Sequence, residues 1–410
     1  MFSNTSKITT CILLASIGLV LLMQLHNLLA FPISRGYDAS GHTEYISYLK
    51  AKGHIPLPYE GWELWQPPLY YAISALMPTL VYTKVIGLVM WLLLSCACFL
   101  FYQKRFKELN IALAGFSVTA SLPVVLYLSY SISNEFFSAV LISCTLILYC
   151  SYLKINTRKS QVLLGILLGL SIITKSTAFI VLLAILVDRL LVHRDKLRSV
   201  VKELLIPFLL TTLIGGWFYI RNILLFGNPL IASFDFPAKH PLTQPVVQRS
   251  LEFFTTLKGF LLLDLFKAHH YSFLAGTYFS WFYDGQNIIV PVQEFSKIGI
   301  VLILFSLPIF LFSVIGFLKE CKVRNNPTRV LVIYSILLFI SYILYNFRLP
   351  FYSTVKGAFI VSAIIPFVYF FLRGIIAYKN HLLLIALYLF LYTAVIVKVF
   401  WILKFWYSGT

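Results

Sequence analysis

The sequence predicts an all-α polytopic membrane protein, a bundle of about eleven transmembrane helices with a helical first outer loop. Three observations predict it. Of the 410 residues, 60% are hydrophobic and 12% charged, where an average soluble domain carries about 25% charged residues. Apolar runs near the roughly 20 residues that cross a hydrocarbon core recur from end to end. The basic residues fall in short clusters between those runs, as they do where charge orients a chain in a bilayer.

A formal net charge of +18 suggests nucleic acid, but such binding needs the cations gathered on one wet face. Here membrane orientation accounts for them and nucleic acid does not. With the N-terminus cytoplasmic, Lys7, Lys104, Arg105, Lys107, Lys154, Arg158, Lys159, Arg194, Lys196, Arg198 and Lys202 all fall on the cytoplasmic side. Lys319, Lys322, Arg324, Arg329, Arg373 and Lys379 join them, with five acids, Glu108, Asp188, Asp195, Glu203 and Glu320. The opposite side takes Asp38, Glu44, Glu60, Glu63, Glu135, Asp235, Glu252, Asp264, Asp284 and Glu294. The expected location is a bacterial inner membrane, with the C-terminus outside.

In chain order, residues 8–31 read as a first span, too long for a cleaved signal and without its small-residue cleavage pattern. Residues 32–80 form the first outer loop, followed by spans at 81–103, 111–130 and 136–153. Residues 161–192, interrupted at Thr174-Lys175-Ser176-Thr177, read as two short antiparallel helices with Lys175 at the outer turn. Spans at 204–226, 298–318, 330–346, 357–372 and 381–403 complete one membrane domain over residues 1–410. The second large outer loop, 227–297, contains Pro229, Pro237, Pro241, Pro245 and Pro291. It also holds a helical stretch from Val247 to Lys267 and an aromatic tract, Tyr278 to Tyr283, suited to a membrane interface. The six cysteines lie in spans or on the cytoplasmic side, where they act as small apolar fillers. Cys96 and Cys98 lack a second ligand pair, so no zinc site is expected.

Chemistry concentrates in residues 36–71, GYDASGHTEYISYLKAKGHIPLPYEGWELWQPPLYY. Asp38 opens a helix that runs to Lys52 and closes at Gly53. Helical spacing puts Asp38, His42, Tyr45 and Leu49 on one face. The Asp38 carboxylate then serves either as a helix cap or as a reacting group. Gln66-Pro67-Pro68-Leu69-Tyr70-Tyr71 follows, the proline pair fixing entry into a helix.

An Asp just after the first span, a helix with His and Tyr at those positions, and a Gln-Pro-Pro-Leu-Tyr-Tyr stretch resemble the first loop of GT-C-fold glycosyltransferases that use polyprenyl-phosphate sugars. Protein O-mannosyltransferases and the aminoarabinose transferases of lipid A are examples. Further likenesses occur at Ser133-Asn134-Glu135, Gly169 to Lys175, Trp217 to Asn222 with Gly227-Asn228-Pro229, and Ser353-Thr354-Val355-Lys356-Gly357. One position departs: many members carry a second acid after the aspartate, where this chain has Ala39. Subgroup and substrate are therefore not transferred, and no acidic pair for a metal stands at this loop. No cofactor is expected, with a divalent metal left open.

The resemblance implies an inverting transfer of one sugar from a polyprenyl-phosphate carrier to a lipid, glycan or protein acceptor at the non-cytoplasmic face. Such a reaction needs a base for the acceptor hydroxyl and cations for the departing phosphate. Asp38 is the expected base. Glu135 orients it or is a solvated turn acid, and His42 shares its proton or simply packs. Lys175, Lys356, Arg221 and Arg348 are the cations for the phosphate, with snorkelling as the alternative for the arginines. Glu63, Gln66 and Tyr70 are expected to contact sugar or acceptor, while Trp62, Trp65 and Tyr71 stack there or anchor at the interface. Rival readings are a transporter or flippase of a lipid-linked glycan, or an oligosaccharide polymerase or ligase.

Overall fold

A computed structural model describes residues 4–152, 157–193, 196–240, 244–283, 293–323 and 326–402. Lys154, Arg194, Asp195, Pro241, Asp284, Pro291 and Arg324, with the side chain of Glu294, lie outside them. Among the described residues the regular structure is helical, apart from one isolated antiparallel bridge between Val246 and Phe351. It is an integral multi-pass membrane protein.

The first apolar helix is α1 (Asn4–Ala30). The loop after it carries α2 (Ala39–Lys52) and α3 (Leu69–Ala75), and its end of the bundle is the outer end below. Next come α4 (Thr83–Phe106), α5 (Leu109–Ser121), α6 (Pro123–Tyr130), α7 (Asn134–Tyr152), α8 (Arg158–Ile172), α9 (Phe179–Val192), α10 (Leu197–Thr211) and α11 (Trp217–Phe226). The second loop holds four further helices. These are α12 (Leu251–Thr255), α13 (Lys258–Leu262), α14 (Ala268–Tyr271) and α15 (Phe273–Phe282). The chain continues through α16 (Gln293–Cys321), α17 (Arg329–Arg348), α18 (Ile364–Ile375) and α19 (Leu382–Val397).

Among the described residues seven helical stretches are long and apolar enough to cross a membrane, or eight with the bent pair α5 and α6. The expected count of eleven is not met by length, for physical reasons. The helices α8 and α9 have 15 and 14 residues, which reach only about 21–23 Å at 1.5 Å per residue. Tyr352–Trp401 runs as one stretch of 50 residues, interrupted by non-helical backbone at Tyr378. Between α5 and α6, Pro123 has no N–H to continue the ladder and Leu122 turns extended, so the axis bends by 50°. The join of α10 and α11 is a π-turn over Thr212–Gly216.

Small residues let these helices meet backbone to backbone. A methyl group on Gly316 of α16 would sit 1.7 Å from the Phe370 carbonyl oxygen, and one on Gly374 of α18 2.1 Å from that of Phe312. Gly87 meets Ser129 in the same way, and Gly215 meets Gly169. At the end opposite the first loop, two buried acids knit the bundle. Asp188 accepts from Tyr149 Oη at 2.5 Å and forms ion pairs with Arg189 and Arg329 at 2.8 and 2.7 Å. Glu320 pairs with Arg373 at 2.9 Å and accepts from Tyr369, Asn326 and Thr328.

Two expectations for the second loop are corrected. The helix foreseen from Val247 to Lys267 is broken, because Thr256 turns extended and Leu263 adopts left-handed backbone at φ 49°. The Thr256 hydroxyl accepts from Lys258 N–H, a local bond that competes with helix. The aromatic tract from Tyr278 to Tyr283 is buried core rather than an interfacial surface.

The glycine contacts give a test of the packing. Gly316→Ala should destabilise the detergent-solubilised protein by about 1–3 kcal/mol, read as a lower thermal midpoint. Gly18→Ala, with open space around it, should be neutral or slightly stabilising. Equal effects would contradict the packing.

Candidate active site

Asp38 stands at the start of α2, as the sequence suggests, but its side chain caps nothing. Its backbone is left-handed, φ 53°, a conformation that is uncommon outside glycine. Gly36 just before it, at φ 129°, packs so closely on Ser131 that an added methyl would lie 2.8 Å from the hydroxyl oxygen. The carboxylate, 46% exposed, has Lys356 Nζ 3.8 Å away. The helix-cap alternative therefore fails on geometry. Gly53 does close α2, donating its N–H to Leu49 at 3.0 Å.

Other outer turns are fastened to this loop. Asn134 Nδ2 donates to Gln66 Oε1 at 3.2 Å and to the Thr174 carbonyl at 3.1 Å. Leu69 N–H, directed by the proline pair, donates to the Ile173 carbonyl at 3.1 Å. Tyr70 Oη accepts from Ser133 N–H at 3.1 Å. Lys175 at its turn then meets Glu135 at 2.7 Å, both side chains largely buried. Glu135 is thus a paired acid and not a solvated one.

Lys356 is buried between the rings of Tyr37 and Phe359, with Nζ 4.2 and 4.7 Å from their centres. Its own backbone is pinned: Tyr342 Oη donates to the Lys356 carbonyl at 3.3 Å, and Gly357 N–H to Ser280 Oγ at 2.7 Å. A residue that sequence reasoning passed over, Arg249, locks the same turn. It donates to the carbonyls of Asn346 and Phe351 and to Thr354 Oγ1 at 3.1, 2.6 and 3.0 Å. Burial lowers its guanidinium to about 10. The only cue was an arginine in a proline-rich loop.

Glu63 is buried and accepts from Gln66 Nε2 at 3.0 Å. Burial first, then the Asp38 charge, pushes its carboxyl up to about 8 against the pull of Gln66, Lys175 and Lys356. It keeps its proton at neutral pH. His42, also buried, bonds through Nδ1 to Tyr71 Oη at 2.8 Å, and burial lowers it to about 3. The imidazole is neutral. The charges that act on these two groups are those of Asp38, Lys175 and Lys356, so four separate chain segments converge here.

Arg221 and Arg348 have neighbours of their own. Arg221 donates to the carbonyls of Ile55 and Pro56 at 3.4 and 3.0 Å, holding the first loop. Arg348 is exposed, 3.8 Å from Asp235 and over the Phe234 ring, although it is close in sequence to Lys356. Trp62 and Trp65 pack edge-on against His240 and Phe234, joining the two outer loops. No group of three or more His, Cys, Asp or Glu able to hold a metal ion occurs among the described residues.

No protein-family model matches the sequence, and no curated protein matches it. Solved structures do match in shape. The aminoarabinose transferase ArnT from Cupriavidus metallidurans, bound to undecaprenyl phosphate, aligns with TM-score 0.54 at 15% identity, over 89% of this chain and 60% of that one. The Archaeoglobus fulgidus oligosaccharyltransferase with zinc and sulfate gives TM-score 0.53 at 15% identity, over 98% and 53%. The same enzyme tethered to an acceptor peptide with the NVT sequon gives 0.54 at 14%, over 98% and 55%.

This chain has the GT-C fold. It spans 53% to 60% of the length of these GT-C structures, which fixes the architecture they share and no more.

The neutral Glu63 gives a pH test. Its folded-state value is raised, so its contribution to stability is present below the ordinary value near 4.5 and lost as pH rises towards 8. The unfolding free energy of the wild type should fall relative to Glu63→Gln across that window by at most about 1.4 kcal/mol per pH unit, read as a lower thermal midpoint. Above the window the difference should level. Parallel curves would mean that Glu63 ionises like an exposed acid.

Proposed function

We propose that this protein is an inverting glycosyltransferase that moves one sugar from a polyprenyl-phosphate carrier to an acceptor hydroxyl at the non-cytoplasmic membrane face. One observation carries the reading: a partly exposed carboxylate, spent on no helix cap, stands 3.8 Å from a buried lysine at the outer end of a GT-C fold. The ArnT structure holds undecaprenyl phosphate, which supports a lipid phosphate as the donor for a chain of the same fold.

In this reading Asp38 accepts the proton of the acceptor hydroxyl as its oxygen bonds to the sugar's anomeric carbon. The bond from that carbon to the phosphate oxygen breaks with inversion, and the phosphate keeps the electron pair. Lys356, whose acidic neighbour Asp38 stands 3.8 Å away rather than at hydrogen-bonding distance, balances the charge that develops on the phosphate. Lys175 is already neutralised by Glu135 at 2.7 Å, so it shapes the site and meets phosphate only in competition with that acid. Neutral His42 and its bond to Tyr71 hold α2 in place, and Gln66, Glu63 and Tyr70 fix the loop against which sugar and acceptor rest. The proposed orientation keeps the N-terminus cytoplasmic, in a bacterial inner membrane.

The test is transfer by protein reconstituted in vesicles, offered a panel of radiolabelled undecaprenyl- and dolichyl-phosphate sugars with membrane extract as acceptor. Asp38→Asn should lower turnover about 10²–10⁴-fold, with an unchanged thermal midpoint. Lys356→Gln should lower it about 10²–10³-fold. Full transfer by well-folded Asp38→Asn would remove Asp38 from the mechanism, and movement of the sugar-lipid across the vesicle without covalent transfer would favour a flippase.

A further inference from the structure

The aromatic tract that should have met the membrane interface is buried, and a different part of the second loop exposes apolar side chains in its place. Leu251, Leu257, Leu261 and Leu262, on α12, α13 and the turn between them, are 80%, 57%, 83% and 60% exposed. The opposite face of the same segment is anchored, with Phe253 and Gly259 buried. The exposed leucines stand beside exposed Lys258, Glu252 and Thr255, the mixture of apolar and polar side chains with a snorkelling cation that occurs at a bilayer surface.

Continuity with α17 identifies what covers them. Phe254 stacks on Phe347 at 4.8 Å, and Phe273 packs on Phe339 at 5.9 Å. Phe339, Leu344 and Phe347 are themselves exposed on a helix long and apolar enough to span the membrane. The leucine patch therefore extends the hydrocarbon-facing side of α17 at its outer end. By contrast, the exposed residues of α2 in the first loop are Ser40, Glu44, Ser47, Lys50, Ala51 and Lys52, a face suited to water.

We propose that residues 251–263 are a membrane-seated segment, their leucines sunk in the acyl region of the leaflet at the outer end. The seat leads towards the candidate site, since Arg249 lies 4.2 Å from the centre of the Phe253 ring and holds Phe351 and Thr354 in the turn before Lys356. It is independent of the transfer chemistry, and its test reads no activity.

Nitroxides placed by Leu257→Cys and Leu261→Cys test it in full-length protein reconstituted in phosphatidylethanolamine and phosphatidylglycerol vesicles. The more accessible native thiols, Cys11, Cys96, Cys144 and Cys321, are replaced by serine, and Ser47→Cys on α2 supplies an aqueous reference. Both leucine-site labels should collide more with oxygen than with a water-soluble nickel chelate, the ratio reversing at Ser47. A nickel preference equal to that at Ser47 would overturn the proposal by placing the segment in water. Low collision with both reagents would also overturn it, showing a face covered by protein such as a second copy. Each variant is first checked for a single symmetric gel-filtration peak, which Leu261→Cys should give because that side chain packs on little.

Discussion

A buried amide organises the outer end of the bundle. Asn134 begins α7 inside the protein, where an unpaired polar group costs about 1–3 kcal/mol, and it meets that constraint by bonding Gln66 and the Thr174 carbonyl at once. Those bonds tie the first loop, the α6–α7 turn and the α8–α9 turn together. The Glu135–Lys175 pair follows from the same placement, because the two residues directly follow Asn134 and Thr174. Asn134 Oδ1 itself is buried with no partner among the described residues, on the side chain where the three segments meet.

Charge balance then decides which groups are available. Lack of solvation pushes Glu63 towards its protonated form and His42 towards its neutral form. Were Glu63 ionised, three carboxylates would compete for two ammonium groups in a space with little water. Its proton leaves Lys356 with Asp38 as its one acidic neighbour, at a separation long for a committed ion pair. A carboxylate and a cation held near each other but not locked suit a reaction that gives a proton to one and a phosphate to the other.

Much of this was readable in the sequence because the signals were local. Apolar runs fixed the long helices, Gly53 the end of α2, and Thr174-Lys175 the turn between α8 and α9. What escaped depends on contacts across the fold. Nothing near Asp38 announces its left-handed backbone, which Gly36 against Ser131 helps to impose. Lys175 and Glu135 looked like independent candidates until the turns met, and nothing in the sequence showed that Arg221 would bond the carbonyls of Ile55 and Pro56. Arg249 was invisible because it acts on a turn about a hundred residues away. The broken helix after Val247 shows side-chain bonding at Thr256 prevailing over propensity. Short α8 and α9 show that an apolar run can pass between the two ends of the bundle in helices shorter than about 20 residues.

The central claim is that Lys356 holds the donor phosphate beside Asp38, the acceptor base. A structure of the protein with a non-transferable phosphonate analogue of a polyprenyl-phosphate sugar tests it directly. The account predicts the phosphonate within hydrogen-bonding distance of Lys356 Nζ, with the anomeric carbon between it and the Asp38 carboxylate. A phosphonate held by Arg221 or Arg348, or at the opposite end beside Asp188 and Glu320, would contradict it.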